Sequence, residues 1–376
     1  MLAANPRVLH IAPAIFGAGD EFFGGAERYV YELAQAMSRV VPTTLLTFGP
    51  KSLTRQDETL RVEVFRNWIH YRRLRFDPFN PAVLWRLRHA DIVHYHQTYT
   101  MMAGLTALAG RVLRKPVFTT DAGAGGYGLH RLWDTRSLYA GHLHISDFSR
   151  RHFGHGNLPS ATVIHGGVNS ARFSPDLHVR RTNEVLFVGR LLPHKGINYL
   201  IDAIQTDIPL RIIGRPFRHA AAYRELLLRM AGGKPVTFAK HCSDADLLSA
   251  YRTALCIVLP SVYESVDGRR HVIPELLGLT VLEAMACGTP AICTNVTSLP
   301  EIVEDGVSGF VVPPNDPAAL RDRMLWLRDN PAAAAQMGDA ARRRAVDRFG
   351  WGSAVRECLA AYARASNSID VARSDG

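Results

Sequence analysis

Long apolar runs are the first thing this chain lacks. Its hydrophobic residues, 47% of the total, come in short stretches, and none approaches the roughly 18 residues that a membrane span needs. The N-terminus also lacks the basic-then-apolar layout of a secretory leader, so a cytoplasmic protein is expected. Cysteine is scarce. The five present, Cys242, Cys256, Cys287, Cys293 and Cys358, have no paired spacing, so neither a disulfide framework nor a zinc site is indicated. There is no P-loop and no Gly-x-Ser-x-Gly elbow. Asp-x-Asp occurs only as Asp244-Ala245-Asp246, which opens a helix carrying Leu247, Leu248 and Tyr251 and reads as N-terminal capping. No short internal repeat is present, and only the last ten or so residues read as disordered.

Acidic charge is in deficit, and unevenly so. The net charge is +10, and residues 1–170 hold 19 Lys and Arg against 12 Asp and Glu, which places most of the excess there. It gathers around Arg61, Arg66, Arg72, Arg73, Arg75, Arg86 and Arg88, interleaved with Phe65, Trp68, Tyr71, Phe76, Phe79 and Trp85. Such a segment suits peripheral contact with the inner face of an anionic membrane or with an acidic acceptor, and equally a solvated arginine-rich surface. No nucleic-acid partner is expected.

At 376 residues and 41.6 kDa the chain exceeds one ordinary core, so two domains are expected. Apolar runs of strand length alternate with amphipathic helices, the pattern of parallel sheets covered on both faces. The first strand reads as Arg7 to Ala12. A glycine-rich passage follows, then a helix from Ala26 to Ser38 with Tyr29, Val30, Leu33 and Met37 on one face. Strands continue at 43–48, 91–96, 117–120, 142–146 and 162–165. The pattern lapses between Gly166 and Pro175, a hinge, and restarts with strands at 184–188, 210–213, 236–238, 256–259, 291–293 and 310–312. A last helix near Trp351 to Arg364 places Val355, Leu359 and Tyr362 together. The fold class is therefore α/β, with two Rossmann-like domains. Ligands of such open sheets bind beyond the carboxyl ends of the strands, which makes the cleft between the domains the expected active site.

Within residues 275–290 a carboxylate precedes a glycine loop and a second lies inside a short helix. Thr280 and Glu283 form a capping-box pattern, Gly288 suits the left-handed position past the helix end, and Pro290 stops it. Amides near Leu279, Thr280 and Val281 at the helix start would form an anion site for phosphate or diphosphate, with Glu275 beside whatever the phosphate carries. A plain cap and a solvated loop charge remain the alternative. Between Gly189 and Gly196 a strand ends in glycine and delivers Arg190 and Lys195 ahead of a helix, two cations able to neutralise a departing diphosphate, or to decorate a surface turn.

Two glycine patterns invite a dinucleotide reading. Gly123, Gly125 and Gly128 have Gly-x-Gly-x-x-Gly spacing after a strand, with Asp147 about twenty residues on, as in an NAD(P)-dependent oxidoreductase. Against it, the strand before them belongs mid-domain, and Leu129 to Trp133 is a poor fingerprint helix. The earlier Gly17-Ala18-Gly19 run lacks a third glycine. His94 and His96 alternate along one strand and share a face, where packing or acceptor contact is favoured over metal because spacing supplies no third ligand.

Taken in order along nearly the whole chain, these segments resemble the family-four glycosyltransferases of the GT-B fold. Gly24-Gly25-Ala26-Glu27 resembles the family's first glycine loop, Asp91-Ile92-Val93-His94 its inner strand, and Val188-Gly189-Arg190 with Lys195-Gly196 its diphosphate segment. Glu275 through Gly288 resembles its paired-glutamate motif and Leu299-Pro300-Glu301 the sequel. The resemblance implies an acceptor-binding domain at 1–170, a nucleotide-sugar domain at 171–349, and a segment 350–376 whose helix crosses back to the first domain before a disordered tail. It implies a metal-independent, cofactor-free enzyme that transfers a sugar from a nucleoside diphosphate to a hydroxyl of a glycan, lipid or small molecule with retention of configuration. Epimerisation of the nucleotide sugar is a further activity of such folds.

Carried over by position, Arg190 and Lys195 hold the donor diphosphate with Gly189, Gly278, Leu279 and Thr280, Glu283 meets the ribose, and Glu275 contacts the transferred sugar. Gly25 reaches the donor from the first domain, while Gly24, His94, His96 and Gly123 fall on the acceptor side. Two departures stand out. Asp121 occupies the place of the family's usual histidine, so a hydrogen-bond acceptor replaces a donor. Residues 265–274 are an insertion that brings Arg269, Arg270 and His271 to the expected cleft mouth, to read acceptor or donor or to form a mobile surface loop.

Overall fold

The computed structural model describes residues 5–13, 24–70, 77–121, 128–215, 220–240 and 242–374. Two compact units emerge, Met1–Gly167 with Trp351–Gly376, and Val168–Gly350.

The first unit is built on an eight-stranded sheet. Its strands are β1 (Val8–Ile11), β2 (Thr43–Gly49), β3 (Leu53–Asp57), β4 (Leu60–Arg66), β7 (Ile92–His96), β8 (Val117–Thr120), β9 (Gly141–His144) and β10 (Ala161–Val163), while β5 (Ile69–His70) and β6 (Pro78–Phe79) form a separate ribbon. The order is β10-β9-β8-β7-β1-β2-β4-β3, parallel except for β3 against β4. Alternation sorts the central strands into two faces. Leu9, Ile11, Val93, Tyr95 and Val117 point into one core, shared with Met102, Ala103 and Ala107 of helix α3 (Met101–Val112), which follows α1 (Gly25–Ser38) and α2 (Val83–Arg86) in the chain. Helix α1 buries Tyr29, Val30, Leu33, Ala34 and Met37, the stripe read from its 3.6-residue period. A short helix α4 (Asp147–His152) starts on a Ser146–Ser149 capping box.

The arginine-rich stretch differs from a plain basic surface. Arg61 and Arg86 both pair with the buried carboxylate of Glu63, and Arg88 lies 4.2 Å from the Trp85 ring centroid. Part of its charge is thus spent within the unit; Tyr71, Arg72, Arg73, Arg75 and Phe76 fall outside the described residues.

The second unit carries a wholly parallel six-stranded sheet, ordered β13-β12-β11-β14-β15-β16. The strands are β11 (Val185–Val188), β12 (Leu210–Ile213), β13 (Val236–Ala239), β14 (Cys256–Leu259), β15 (Ala291–Thr294) and β16 (Gly309–Val312). Each core strand is buried on both faces, hence the unbroken Val, Leu, Ile and Phe runs. The helices are α5 (Ile197–Ala203), α6 (Ala221–Met230), α7 (Asp244–Thr253), α8 (Leu279–Ala286), α9 (Leu299–Ile302), α10 (Pro317–Asp329) and α11 (Pro331–Phe349). The strand order reverses at β11, which has β12 on one side and β14 on the other. Such a switch point leaves a crevice beyond the carboxyl ends of the two adjacent strands.

The last helix, α12 (Trp351–Ser374), belongs to the first unit. Trp351 fills the space left by the missing side chains of Gly166 and Gly167, its ring meets Tyr29 edge-on at 5.1 Å, and its Nε1 donates to Glu32 at 2.9 Å. Val355, Cys358 and Tyr362 are buried below it. Among the described residues, no helix is long and apolar enough to cross a membrane.

Candidate active site

Beyond β11 the chain turns through Gly189 and Arg190 into a single 3-10 turn at Pro193–Lys195. Gly196 then takes a left-handed conformation, φ +64°, and opens α5. A side chain there would bring its Cβ within 1.9 Å of the Pro260 carbonyl, so only glycine lets this turn lie against the end of β14. The geometry delivers Lys195 to the switch point. Beyond β14, residues 260–278 lead to α8, and Glu275 lies on this second arm. Lys195 Nζ and Glu275 Oε2 form an ion pair, with side chains only 11% and 14% exposed. Burial opposes ionisation of Glu275, but the Lys195 charge and hydrogen bond, with His194 and the Leu276 amide, hold its carboxyl below the ordinary value. It is a carboxylate at neutral pH. Arg190 is exposed.

The arm bearing Glu275 is clamped by side chains of the segment after β15. Thr297 Oγ1 donates to the Glu275 carbonyl and Ser298 Oγ to that of Leu276, while the Thr297 amide donates to Tyr263 Oη at 2.9 Å. Leucine 279 opens α8 after Gly278, whose φ of +73° makes it a left-handed N-cap. The capping box expected from Thr280 and Glu283 therefore does not form. Thr280 lies inside the first turn, because the glycine takes the chain into the helix two residues earlier. The first turn's leading amides, those of Leu279 and Thr280, lack the preceding-turn carbonyls that would accept from them. At the other end Gly288 is left-handed, φ +75°, as its place past the helix requires. Arg181 donates to the carbonyls of Cys287 and Gly288 and Arg342 to that of Ala286.

Glu283 is placed differently from Glu275. It is fully buried, and its Oε2 accepts from the Tyr251 hydroxyl of α7 at 2.7 Å. A ribose can reach it only after that enclosure opens. His194 was not singled out in the sequence. Burial, then the Lys195 charge and His271, push its pKa down to about 4 despite Glu275, so it is neutral at pH 7. Its ring lies 4.9 Å from that of His271.

The insertion is an ordered turn. Glu264 and Arg270 form an antiparallel bridge, the His271 amide donates to the Tyr263 carbonyl at 2.7 Å, and the Ser265 amide donates to that of Arg269 at 3.0 Å. Arg269 and Arg270 are exposed.

The other nominated residues belong to the first unit. Gly24 is the extended N-cap of α1, and Gly25 its first residue. Asp121 is buried directly after β8. His94 and His96 are fully buried, and a third histidine, invisible to spacing along one strand, joins them because β1 pairs with β7 in the register His10↔His94. The three offer nitrogens within 4.8 Å of one another. They are already engaged: His10 Nδ1 with His96 Nε2 at 2.9 Å, and His94 with Thr120 Oγ1 at 2.7 Å and Tyr362 Oη at 2.8 Å. Among the described residues His10 Nε2 and His96 Nδ1 have no hydrogen-bond partner, so a metal held by all three rings would have to displace one of the His94 bonds. A hollow of about 620 Å³ is lined by Asn295, Val303, Glu304 and Arg344, and its arginine is already bound to Glu304 and the Ile302 carbonyl.

The dinucleotide reading fails on local structure. Gly123 and Gly125 lie outside the described residues, but Gly128 leads into a single 3-10 turn, Leu129–Arg131, where the fingerprint needs a full helix. Asp147 is committed to Arg150 and Arg151.

Comparison with known proteins agrees with the architecture. Residues 23–172 match the family described as Glycosyltransferase Family 4, and residues 172–344 that described as Glycosyl transferases group 1. The chain belongs to the family-four glycosyltransferases of the GT-B class. It is 28% identical over 317 residues to a phosphatidyl-myo-inositol mannosyltransferase of Mycobacterium leprae, covering 77% of this chain and 79% of that one. It is 31% identical over 248 residues to a D-inositol 3-phosphate glycosyltransferase of Streptomyces bingchenggensis, covering 60% and 52%. The chain spans about half the length of most such curated relatives. Anabaena HepE, solved in complex with UDP and glucose, superposes with a TM-score of 0.73 at 17% identity, covering 96% of this chain and all of that one.

Proposed function

We propose that the protein is a retaining glycosyltransferase that moves a sugar from a nucleoside diphosphate to an acceptor hydroxyl of a glycan, lipid or small molecule without a metal. The observation that carries this reading is the Lys195–Glu275 ion pair at the strand ends of β11 and β14, with the α8 amides of Leu279 and Thr280 four and five residues past Glu275. Lys195, already held by one carboxylate, offers its charge to the donor diphosphate. Arg190 adds a second, and the Leu279 and Thr280 amides add the positive end of the helix dipole.

Negative charge grows on the diphosphate as the glycosidic bond breaks, so these groups bind the transition state more tightly than the ground state. Glu275, ionised and clamped by Thr297 and Ser298, accepts hydrogen bonds from sugar hydroxyls and fixes the ring. The departing phosphate takes the acceptor proton on the face it leaves, which gives retention. Contact of Glu283 with the ribose is the part of this reading that requires the Tyr251 bond to open. Roles for Gly24, Gly25, Asp121, His94 and His96 rest on the resemblance. The basic residues 1–170 and the inositol phosphate and phosphatidylinositol relatives favour an anionic acceptor.

The test is a panel of UDP, GDP and ADP sugars read by thermal shift, since a bound donor raises the melting temperature. One nucleotide class should stabilise the protein, and Lys195→Ala should weaken it at least about tenfold in calorimetry. Glu275→Ala should keep nucleotide binding yet lower transfer on the order of 100-fold. Absence of any stabilising donor, or wild-type turnover by Glu275→Ala, overturns the proposal. Product formed without acceptor would point to epimerisation instead.

A further inference from the structure

The turn formed by residues 263–271 holds a hydrogen-bonded chain that the proposed chemistry has not used. Ser265 is buried, and its Oγ lies 2.5 Å from Asp267 Oδ1, 3.2 Å from the Arg269 carbonyl and 2.9 Å from His271 Nε2. A serine hydroxyl has one hydrogen, and neither a carboxylate nor a carbonyl can donate. The Ser265 hydrogen therefore goes to that pair, and His271 must donate from Nε2. The Ser265 hydrogen bond is also the chief reason the Asp267 carboxyl sits below its ordinary pKa. With Nε2–H fixed, a neutral His271 has its acceptor lone pair at Nδ1.

The same ring stands 4.9 Å from that of His194, the residue next to Lys195, and the same turn connects through Tyr263 to Thr297, which clamps Glu275. The chain Asp267, Ser265, His271 and His194 thus ends beside the Lys195–Glu275 pair. On the donor-site reading above, we propose that His271 is a specificity-determining residue whose Nδ1 accepts a hydrogen bond from a hydroxyl of the transferred sugar. Ser265 and Asp267 fix its tautomer, and His194 fixes the position of its ring.

The experiment compares a nucleoside diphosphate with its sugar conjugate by calorimetry, using UDP with UDP-glucose, GDP with GDP-mannose and ADP with ADP-glucose, and follows whichever pair binds the wild type. His271→Ala should bind the diphosphate as the wild type does but its sugar conjugate about five- to tenfold more weakly, the worth of one hydrogen bond. His271→Asn, whose Oδ1 lies near the place of Nδ1, should recover part of that loss. Ser265→Ala should show a smaller loss in the same direction, and it carries the comparison should His271→Ala fail to fold. An unchanged ratio of the two affinities, or an equal loss for both ligands, overturns the role of His271 while leaving the glycosyltransferase reading intact. Failure of the wild type to bind any of the three pairs overturns both.

Discussion

Two glutamates eight residues apart in one motif have opposite surroundings. Glu275 shares a partly open position with a lysine, whereas Glu283 is sealed in the unit's interior and held by Tyr251. Their separation in sequence says nothing of this, because depth depends on which helix packs over each. The Tyr251 hydroxyl is itself worth testing. Tyr251→Phe keeps the ring and its packing and removes a donor to a buried carboxylate, so it should cost about 1–3 kcal/mol. Chemical denaturation measures this, and an unchanged midpoint would show that the bond contributes nothing.

At the scale of elements, most strands were legible because parallel strands buried on both faces read as short apolar runs. Val117–Thr120, Leu210–Ile213 and Cys256–Leu259 agree residue for residue with the sequence reading. The strands β3 and β4 were missed. Leu53–Asp57 is an edge strand with a largely exposed face, and the alternation of buried Leu60, Val62 and Val64 was masked by the arginines between and beyond them. The start of α8 was misread for another reason. A left-handed glycine and a Thr-x-x-Glu box are both good helix starts, and only the path of the incoming chain selects one. Gly196 shows how strictly such a path is held. Gly196→Ala would press a methyl group against the Pro260 carbonyl in a strained backbone region, so it should destabilise by more than about 2 kcal/mol. It should also weaken nucleotide binding by displacing Lys195. Thermal melting and calorimetry read both effects, and a variant as stable and as tightly binding as wild type would refute the account.

For the whole molecule, buried histidines set the response to acid. Burial lowers the pKa of His10 and His144 to about 3 and that of His142 and His194 to about 4, with His94 and His96 also held well below the ordinary value. The folded state keeps these rings neutral, while the unfolded chain protonates them near pH 6.5. Their contribution is therefore complete above that pH and is lost as pH falls toward the folded values, at up to about 1.4 kcal/mol per pH unit for each ring. The melting temperature should fall steeply between pH 6.5 and pH 4.5, starting well above the range in which ordinary carboxylates titrate. A flat profile over that interval would contradict the buried, neutral state of these rings.

Hydrophobic periodicity and glycine placement are local properties, so the sequence alone determined the α/β class and the succession of most strands, and it singled out Arg190, Lys195, Glu275 and Glu283 as candidates. The pairing of Lys195 with Glu275 across 80 residues, the convergence of His10 on His94 and His96, and the contact between His194 and His271 depend on strand order and register. Those follow from how whole sheets bury their faces, and only the tertiary structure decided them. The paired-glutamate motif was visible from the start, but which of its carboxylates stays accessible was settled by packing, since exclusion of water from Glu283 is the work of residues that the motif does not contain.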